Sequence, residues 1–291
     1  LLDTVRGIPK TLNSDDTSVE TTGLSDGTVN RLVTGLTPDG FTLGMDDGGY
    51  GINFDTGQNV VAWCWDMGGT TASNTNGSIT SSVRASTAYG QSIVSYVYGA
   101  GAKTIGHGLT SAPELILMKN RDYAHNWDVY HKDVGNTKRL KLNDTAAAET
   151  YSGVWNDTTP TSSVFSTNNW LTSGHNVIAY CFHSVTGYSS FGSYSGTGSS
   201  GNAITTGFAP AFVMVKRTDS AQDWQIIDNT RNPYNPVTRR LEPNNSDAEV
   251  NDTSYNNCNF TSTGFTWQAD GGNTNASGGT YIYAAFADTR E

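Results

Sequence analysis

An internal repeat of about a hundred residues constrains the fold of this chain more than any other sequence feature. The segment APELILMKNRDYAHNWDVYH aligns without gaps with the later segment APAFVMVKRTDSAQDWQIID. Lys119 and Trp127 have the same separation as Lys216 and Trp224. Because the order, the spacing and the chemistry of the residues agree, we predict that the two segments form the same structure.

A third, partial copy precedes these two. It opens with LLDTVR, which matches IIDNTR at residues 226–231, and it continues through TLNSDDTSVE and PDGFTLG to NVVAWCW. These matches predict copy 1 at residues 1–67, a polar linker at 68–90, copy 2 at 91–186 and copy 3 at 187–291. Copy 1 has no counterpart of the leading strands, so we expect it to be N-terminally incomplete and to lose order first in an isolated chain.

The residue pattern of each copy is typical of β-structure. Short apolar runs alternate with turn residues, and no stretch shows the sustained 3.6-residue apolar period of a helix. ELILMKN and AFVMVKR are nearly continuous apolar runs, which favours central strands buried on both faces. The sequence therefore predicts an all-β protein made of tandem antiparallel β-sandwich repeats, with about seven strands in a complete copy.

Matched positions in the copies predict the core. NVVAWCW, NVIAYCF and YIYAAF align as the strand that closes each copy, which places both aligned cysteines at one buried position. The predicted repeat-core residues are Trp127, Trp224, Trp65, Phe182, Phe286, Cys64 and Cys181.

Charge and composition exclude several classes of protein. The net charge of −10 argues against binding to a nucleic-acid backbone, which needs clustered Lys and Arg. No apolar run approaches the length of a membrane span, so no membrane insertion is expected. The three cysteines are too few for a disulfide framework and lack partners at metal-ligand spacing.

No catalytic constellation is predicted. The sequence has no G-x-S-x-G motif, and its five histidines have no convincing Ser or Cys partner. His107 lies between glycines, but copy 3 has Thr206 or Gly207 at that place, which favours a structural role. His131 and His183 align with polar residues at strand ends.

Two acidic pairs are the remaining candidates for catalytic residues, and one oxygen-rich stretch is the remaining candidate for a calcium site. Asp15–Asp16 and Asp46–Asp47 lie in polar turns, whereas glycoside hydrolysis needs two carboxyl groups that face each other across a cleft. DDGGYGINFD offers oxygen atoms but not the calcium-loop pattern of an EF-hand. We therefore expect no catalytic residue, no metal and no cofactor.

Aromatic residues in loops without a counterpart are candidates for a sugar-binding surface. A flat ring beside Asn, Asp and Ser suits glycan recognition, although a half-buried aromatic that pins its loop is the alternative. The candidate glycan contacts are Trp155, Trp170, Tyr188, Tyr234 and Tyr255.

Several phrases resemble a known repeat domain. GHGLTSAPELILMKNR, AYCFHSVTGYSSFGSYSGTG, GFAPAFVMVKRTD, YIYAAFAD and the opening LLDTVRG resemble the repeat domain of virion-associated proteins in marine tailed bacteriophages, cyanophages included. The resemblance covers nearly the whole chain. It implies a place in the virion, after assembly in the host cytoplasm, and carries over no catalytic residue.

From the repeat and the resemblance we expect a non-enzymatic structural component of a phage virion, a tail fibre or surface appendage. The alternative is a lectin-like module that binds host surface glycan, and a polysaccharide depolymerase is a third candidate. Expected partners are other virion proteins and further copies of the chain, with a trimer favoured by analogy with fibres.

Overall fold

A computed structural model describes residues 1–23, 32–44, 57 and 59–288. The regular secondary structure of this part of the chain is almost entirely β, with one short helix, α1 (Ser152–Trp155). Strands before copy 2 are β1 (Lys10–Thr11), β2 (Thr21–Thr22), β3 (Val33–Thr37), β4 (Gly40–Leu43), β5 (Ala72–Asn74) and β6 (Ser81–Ser86). Strands of copy 2 are β7 (Gln91–Val97), β8 (Lys103–Gly106), β9 (Leu115–Asn120), β10 (Asp128–His131), β11 (Lys138–Lys141), β12 (Glu149–Thr150), β13 (Val164–Thr167) and β14 (Asn176–Phe182). Strands of copy 3 are β15 (Ser189–Ser195), β16 (Asn202–Thr205), β17 (Pro210–Arg217), β18 (Gln225–Asp228), β19 (Arg239–Arg240), β20 (Val250–Asn251), β21 (Cys258–Thr261), β22 (Gly264–Trp267) and β23 (Thr280–Ala287).

The strands form several antiparallel sheets. An eight-stranded sheet has the order β12-β11-β10-β9-β14-β7-β6-β5, and a four-stranded sheet has the order β15-β23-β17-β18. Smaller sheets are β16-β22-β21, β13-β8, β1-β2, β19-β20 and β3-β4. An all-β fold with several antiparallel sheets is therefore confirmed.

Copies 2 and 3 share a strand order. The run β7-β14-β9-β10 of copy 2 corresponds to β15-β23-β17-β18 of copy 3, and β8 pairs with β13 as β16 pairs with β22. Strands β9 and β17 each lie between two partners, and β10 and β18 are their hairpin arms, as the apolar runs predicted.

Both faces of the closing strands are buried. Along β14, Val177, Ala179 and Cys181 pack under β8, β13 and α1, while the alternate residues Ile178 and Tyr180 enter a different cluster. This alternation follows from the two-residue period of a strand. Strand β23 alternates in the same way between that shared cluster and a cluster beneath β16, β21 and β22.

The shared cluster, which we call the central core, joins all three copies. It combines apolar residues from the eight-stranded sheet and the four-stranded sheet with Leu12 of copy 1. Trp63, Trp65 and Met67 pack against its edge. The rings of Trp63 and Trp65 contact Phe212 edge-on, with centroids 5.7 Å and 5.5 Å away.

Two predictions about residues 59–90 are wrong in detail. NVVAWCW forms no strand: residues 59–67 run past the sheets without a backbone partner in the described part of the chain. Cys64 is consequently exposed, whereas Cys181 at the aligned position is fully buried, because nothing described covers the outer face of this segment. Residues 68–90, predicted as a polar linker, contain two strands, β5 and β6, which extend the edge that β7 presents.

Candidate functional site

The most elaborate polar site is built by the two matching motifs LLDTVR and IIDNTR. In copy 1, Asp3 Oδ1 accepts the backbone N–H groups of Val5 and Arg6, and Asp3 Oδ2 accepts from Arg6 Nε. The Arg6 guanidinium also donates to Glu20 Oε2 at 3.2 Å and to the Leu1 carbonyl at 2.9 Å. A short turn is thus fixed by one carboxylate that caps it and one guanidinium that crosses it.

Copy 3 repeats these five hydrogen bonds. Asp228 Oδ1 accepts from Thr230 N and Arg231 N, and Asp228 Oδ2 accepts from Arg231 Nε at 2.7 Å. Arg231 then donates to Glu249 Oε2 at 3.0 Å and to the Ile226 carbonyl at 3.1 Å. The sequence alignment that equates Leu1 with Ile226 therefore holds at the level of single hydrogen bonds.

Copy 2 replaces the Asp–Arg pair with an imidazole. His131, at the position aligned with Asp3 and Asp228, is 1% exposed. Its Nδ1 accepts the N–H of Asp133, so its Nε2 carries the proton and donates to the Tyr283 carbonyl at 3.4 Å. Burial lowers the pKa of His131 to about 4, which keeps the ring neutral.

These aligned positions connect the copies in a cyclic order. Asp3 of copy 1 accepts the hydroxyl of Tyr180 in copy 2 at 2.7 Å, and His131 of copy 2 reaches Tyr283 of copy 3. Asp228 of copy 3 accepts the indole N–H of Trp63 in copy 1 at 3.2 Å. Each copy therefore contacts the next, and the third contacts the first.

A buried lysine makes a second type of junction. Lys119 Nζ donates to the carbonyls of Asn120 and His125 in its own hairpin and to Thr17 O of copy 1 at 3.1 Å. Lys216 Nζ likewise donates to Arg217 and Gln222 in its own hairpin and to Thr145 O of copy 2 at 2.9 Å.

The matched tryptophans complete these junctions. Trp127 Nε1 donates to Asn13 O of copy 1 at 2.7 Å, and Trp224 Nε1 donates to Lys141 O of copy 2 at 2.9 Å. A Lys and a Trp from one hairpin thus bind the loop of the preceding copy. We call this arrangement the Lys–Trp junction.

The electrostatics of these sites are those of structural groups. Burial raises the pKa of Asp3, but the Arg6 charge and hydrogen bonds from Arg6 and Tyr180 outweigh it and hold the pKa below its ordinary value. Burial lowers the pKa of Lys119 and Lys216 to about 8. Each of these charges is hydrogen-bonded to fixed groups of the protein.

The predicted core residues largely lie in the core. Trp127, Trp224, Phe182, Phe286 and Cys181 are buried, and Trp65 is half-buried against the central core. Cys64 is the exception described above.

Two of the five predicted glycan contacts are incompatible with their positions. Trp170 is 4% exposed because its indole N–H donates to the buried carboxylate of Asp128 at 2.6 Å. Trp155 is 1% exposed and packs edge-on against Tyr130. Their indole faces are therefore core surface and not available to a sugar.

The other three loop aromatics differ in exposure. Tyr188 is half-buried and donates to Gln91 Oε1 at 3.3 Å, whereas Tyr234 and Tyr255 are 84% and 64% exposed. The structure does not bring Tyr234 and Tyr255 into ring contact. Tyr123, 63% exposed and stacked on His175 with centroids 6.2 Å apart, is an exposed aromatic that sequence reasoning missed.

The side chains considered as catalytic candidates are held by hydrogen bonds that stabilise the fold. His107 is fully buried: its Nδ1 accepts the Leu109 N–H, and its Nε2 donates to Thr161 O. Asp16 accepts from Asn13 and from the Ser18 N–H, as a loop carboxylate does. Asp46–Asp47 and the DDGGYGINFD stretch lie outside the described residues.

Sequence reasoning also missed the two lysines and the two arginines of these junctions. The signal was present, since D-x-x-R occurs in copies 1 and 3 and a Lys is the penultimate residue of β9 and of β17, at equal distance from a Trp. Within residues 1–23, 32–44, 57 and 59–288, no group of acidic, His and Cys side chains could hold a metal ion. None of the described helices could cross a membrane.

One comparison with known proteins gives a match. A family model described as "Domain of unknown function (DUF7483)" matches residues 1–290, and so spans all three copies. No curated protein and no solved structure matches the chain. The chain therefore belongs to the DUF7483 domain family.

Proposed function

We propose that this chain is a non-enzymatic structural protein whose three copies lock one another into a rigid unit. The observation that carries the proposal is the use of its buried charged groups. Arg6, Lys119, Arg231 and Lys216 all spend their hydrogen bonds on turns and on neighbouring copies. Charges fixed in this way provide specificity of assembly and are not themselves free for chemistry.

We further propose that copies 2 and 3 are tandem β-sandwich repeats. Their shared strand order and the residue-by-residue alternation of β14 and β23 between two clusters support this interpretation. Repeats that bury a common core give stiffness without an active site.

The location proposed is a phage virion, in a tail fibre or surface appendage. The resemblance of GHGLTSAPELILMKNR and its companion phrases to phage virion repeats supports this location. The proposed partners are other virion proteins and further copies of the chain, with a trimer favoured. Peptides of this chain in the mass spectrum of purified virions would support the location, and their absence from virions of a phage that encodes the chain would contradict it.

A lectin-like role is the second candidate, because Tyr234 and Tyr255 present exposed rings. A glycan array with the folded chain separates the two functions. The scaffold proposal expects no glycan signal above that of a Tyr234→Ala and Tyr255→Ala double variant. Binding that the double variant loses would instead favour the lectin role, and release of reducing ends from host polysaccharide would establish an enzyme.

A further inference from the structure

Residues 59–66 form an extended segment with one covered face and one open face. Trp63 and Trp65 turn towards the central core, whereas Val60, Ala62 and Cys64 are exposed, Val60 by 62%. This alternation is that of a β-strand that lies on a core without belonging to a sheet.

Within the described residues, the backbone of this segment has open edges on both sides, apart from the Asp66 carbonyl, which accepts from the Gln91 side chain. In the described part of the chain, none of its backbone N–H or C=O groups pairs with another backbone group. The aligned strand β14 lies between β9 and β7, and the aligned strand β23 lies between β17 and β15. In the two complete copies, one of these edges is therefore occupied by an apolar strand that continues into a hairpin: β9 in copy 2 and β17 in copy 3.

The loop that should receive this hairpin is also present. Thr17 O and Thr145 O accept the lysines of the two observed Lys–Trp junctions. Leu12, Leu140 and Leu241 pair with Leu1, Val129 and Ile226, respectively, and so are equivalent positions of the three copies. Thr17 and Thr145 each follow their leucine by five residues, and Ser246 follows Leu241 by the same number. Ser246 is exposed, and among the described residues its carbonyl accepts no hydrogen bond.

The acceptor for the tryptophan has a counterpart as well. Asn13 O and Lys141 O, which accept from Trp127 and Trp224, align with Glu242 O of copy 3. Glu242 O accepts one weak backbone bond, from Asn245 N at 3.4 Å. Copy 3 thus carries both acceptors of a third Lys–Trp junction, and it already contacts copy 1 through Trp63 and Asp228.

We propose that residues 59–66 together with the carbonyls of Ser246 and Glu242 form a docking site for a β-hairpin of a partner polypeptide. The partner's first strand is apolar and ends in a lysine, and a tryptophan follows at the separation seen between Lys119 and Trp127. The strand pairs antiparallel with residues 59–66, the ammonium donates to Ser246 O, and the indole donates to Glu242 O. This is β-strand addition at an open edge, with two side chains that set the register.

The site is tested with a fluorescein-labelled peptide of residues 112–131, which contains such a hairpin, added to the full chain. Fluorescence anisotropy measures binding, and hydrogen exchange measures protection of the amides of residues 59–66. We expect saturable binding and amide exchange at residues 59–66 slowed by about tenfold or more at saturation. Exchange of Leu115–Asn120 in the chain itself should not change.

Variants of the peptide and of the chain make the test specific. Lys119→Met or Trp127→Phe in the peptide should weaken binding about tenfold, since each removes one junction bond. In the chain, Val61 aligns with Ile178, whose backbone groups face β9, so Val61→Pro removes an amide N–H from the edge that the partner's first strand covers and should reduce binding by at least about tenfold. Ala62→Pro is the matched control: Ala62 aligns with Ala179, whose backbone groups face β7, so this variant should bind nearly as well as the parent. Both chain variants should unfold near the melting temperature of the parent, because residues 61 and 62 have no backbone partner in the described structure.

Three results would overturn the proposal. They are no binding of the parent peptide, equal binding of the Val61→Pro and Ala62→Pro chains, and equal binding of a scrambled peptide of the same composition. Binding that protects residues other than 59–66 would assign the hairpin to another surface and would also refute it.

Discussion

The indole N–H of Trp63 donates to Oδ2 of Asp228 at 3.2 Å, across 165 residues of sequence. This bond joins copy 1 to copy 3, and it uses positions equivalent to those that join copy 1 to copy 2 through Tyr180 and Asp3. The copies consequently contact one another in a closed cycle around the central core. A closed cycle leaves each copy supported by two neighbours, which a linear array does not.

Trp63→Phe should destabilise the chain by about 1 to 2 kcal/mol, because it removes a donor from a buried carboxylate but keeps an aromatic ring against Phe212. Trp65→Phe is the matched control: its ring also contacts Phe212, and its indole makes no hydrogen bond within the described residues. Urea unfolding curves measure both variants. Equal losses of unfolding free energy in both variants would show that the bond to Asp228 contributes nothing.

Arg6→Met should cost about 3 to 5 kcal/mol of unfolding free energy, because it leaves the buried carboxylate of Asp3 without its charged partner. Arg217→Met removes an ion pair with Asp219 that is partly open to solvent, and it should cost less than about 1 kcal/mol. Chemical denaturation of the two variants gives the comparison. A smaller loss for Arg6→Met than for Arg217→Met would contradict the structural role of the Asp–Arg network.

The stability of the chain should fall in acid through His131. Burial depresses the pKa of this imidazole from 6.5 to about 4, so the unfolded chain binds the proton more readily between these values. The stabilisation is therefore complete above pH 6.5 and is lost as the pH falls towards 4, by about 1.4 kcal/mol per pH unit.

His131→Gln keeps an N–H donor for the Tyr283 carbonyl but does not titrate. Unfolding free energies measured every half unit from pH 7 to about pH 4 should thus fall less steeply in the variant than in the parent. Parallel curves would show that His131 is not the titrating group.

Alkylation should distinguish the three cysteines. Cys64 is exposed, whereas Cys181 and Cys258 are buried, so one thiol of the native chain should react and all three should react after denaturation. Partial burial raises the pKa of Cys64, so its reaction should accelerate as the pH rises into the alkaline range. Mass spectrometry of the alkylated native chain identifies the site. Labelling at Cys181 before Cys64 would contradict the open face of residues 59–66.

The sequence predicted the parts of the fold that repetition and strand period determine. Because β9 and β17 are apolar on both faces, their central position and their hairpin partners could be inferred from residue pattern alone. The equivalence of Leu1 and Ile226 followed from the recurrence of D-x-x-R. The burial and the contacts of a residue were harder to predict where equivalent positions of the copies have different neighbouring strands.

Cys64 and Trp170 illustrate this limit. Cys64 has the same local sequence as Cys181, but the strands that cover Cys181 have no described equivalent over Cys64, so equal sequence gives unequal burial. Trp170 has no counterpart in the other copies, and its burial depends on a bond to Asp128, 42 residues away. Local pattern carries no information about either contact. The same is true of the Lys–Trp junctions, whose acceptors are backbone carbonyls of another copy.

If the copies are locked together around one shared core, they unfold together. Pulsed hydrogen exchange during equilibrium urea unfolding measures this, because mass spectrometry follows Asn176–Phe182 of copy 2 and Thr280–Ala287 of copy 3 separately. Since alternate side chains of both strands enter the central core, the two segments should lose protection in a single transition with one midpoint. Two transitions, with one segment still protected after the other has exchanged completely, would contradict the account.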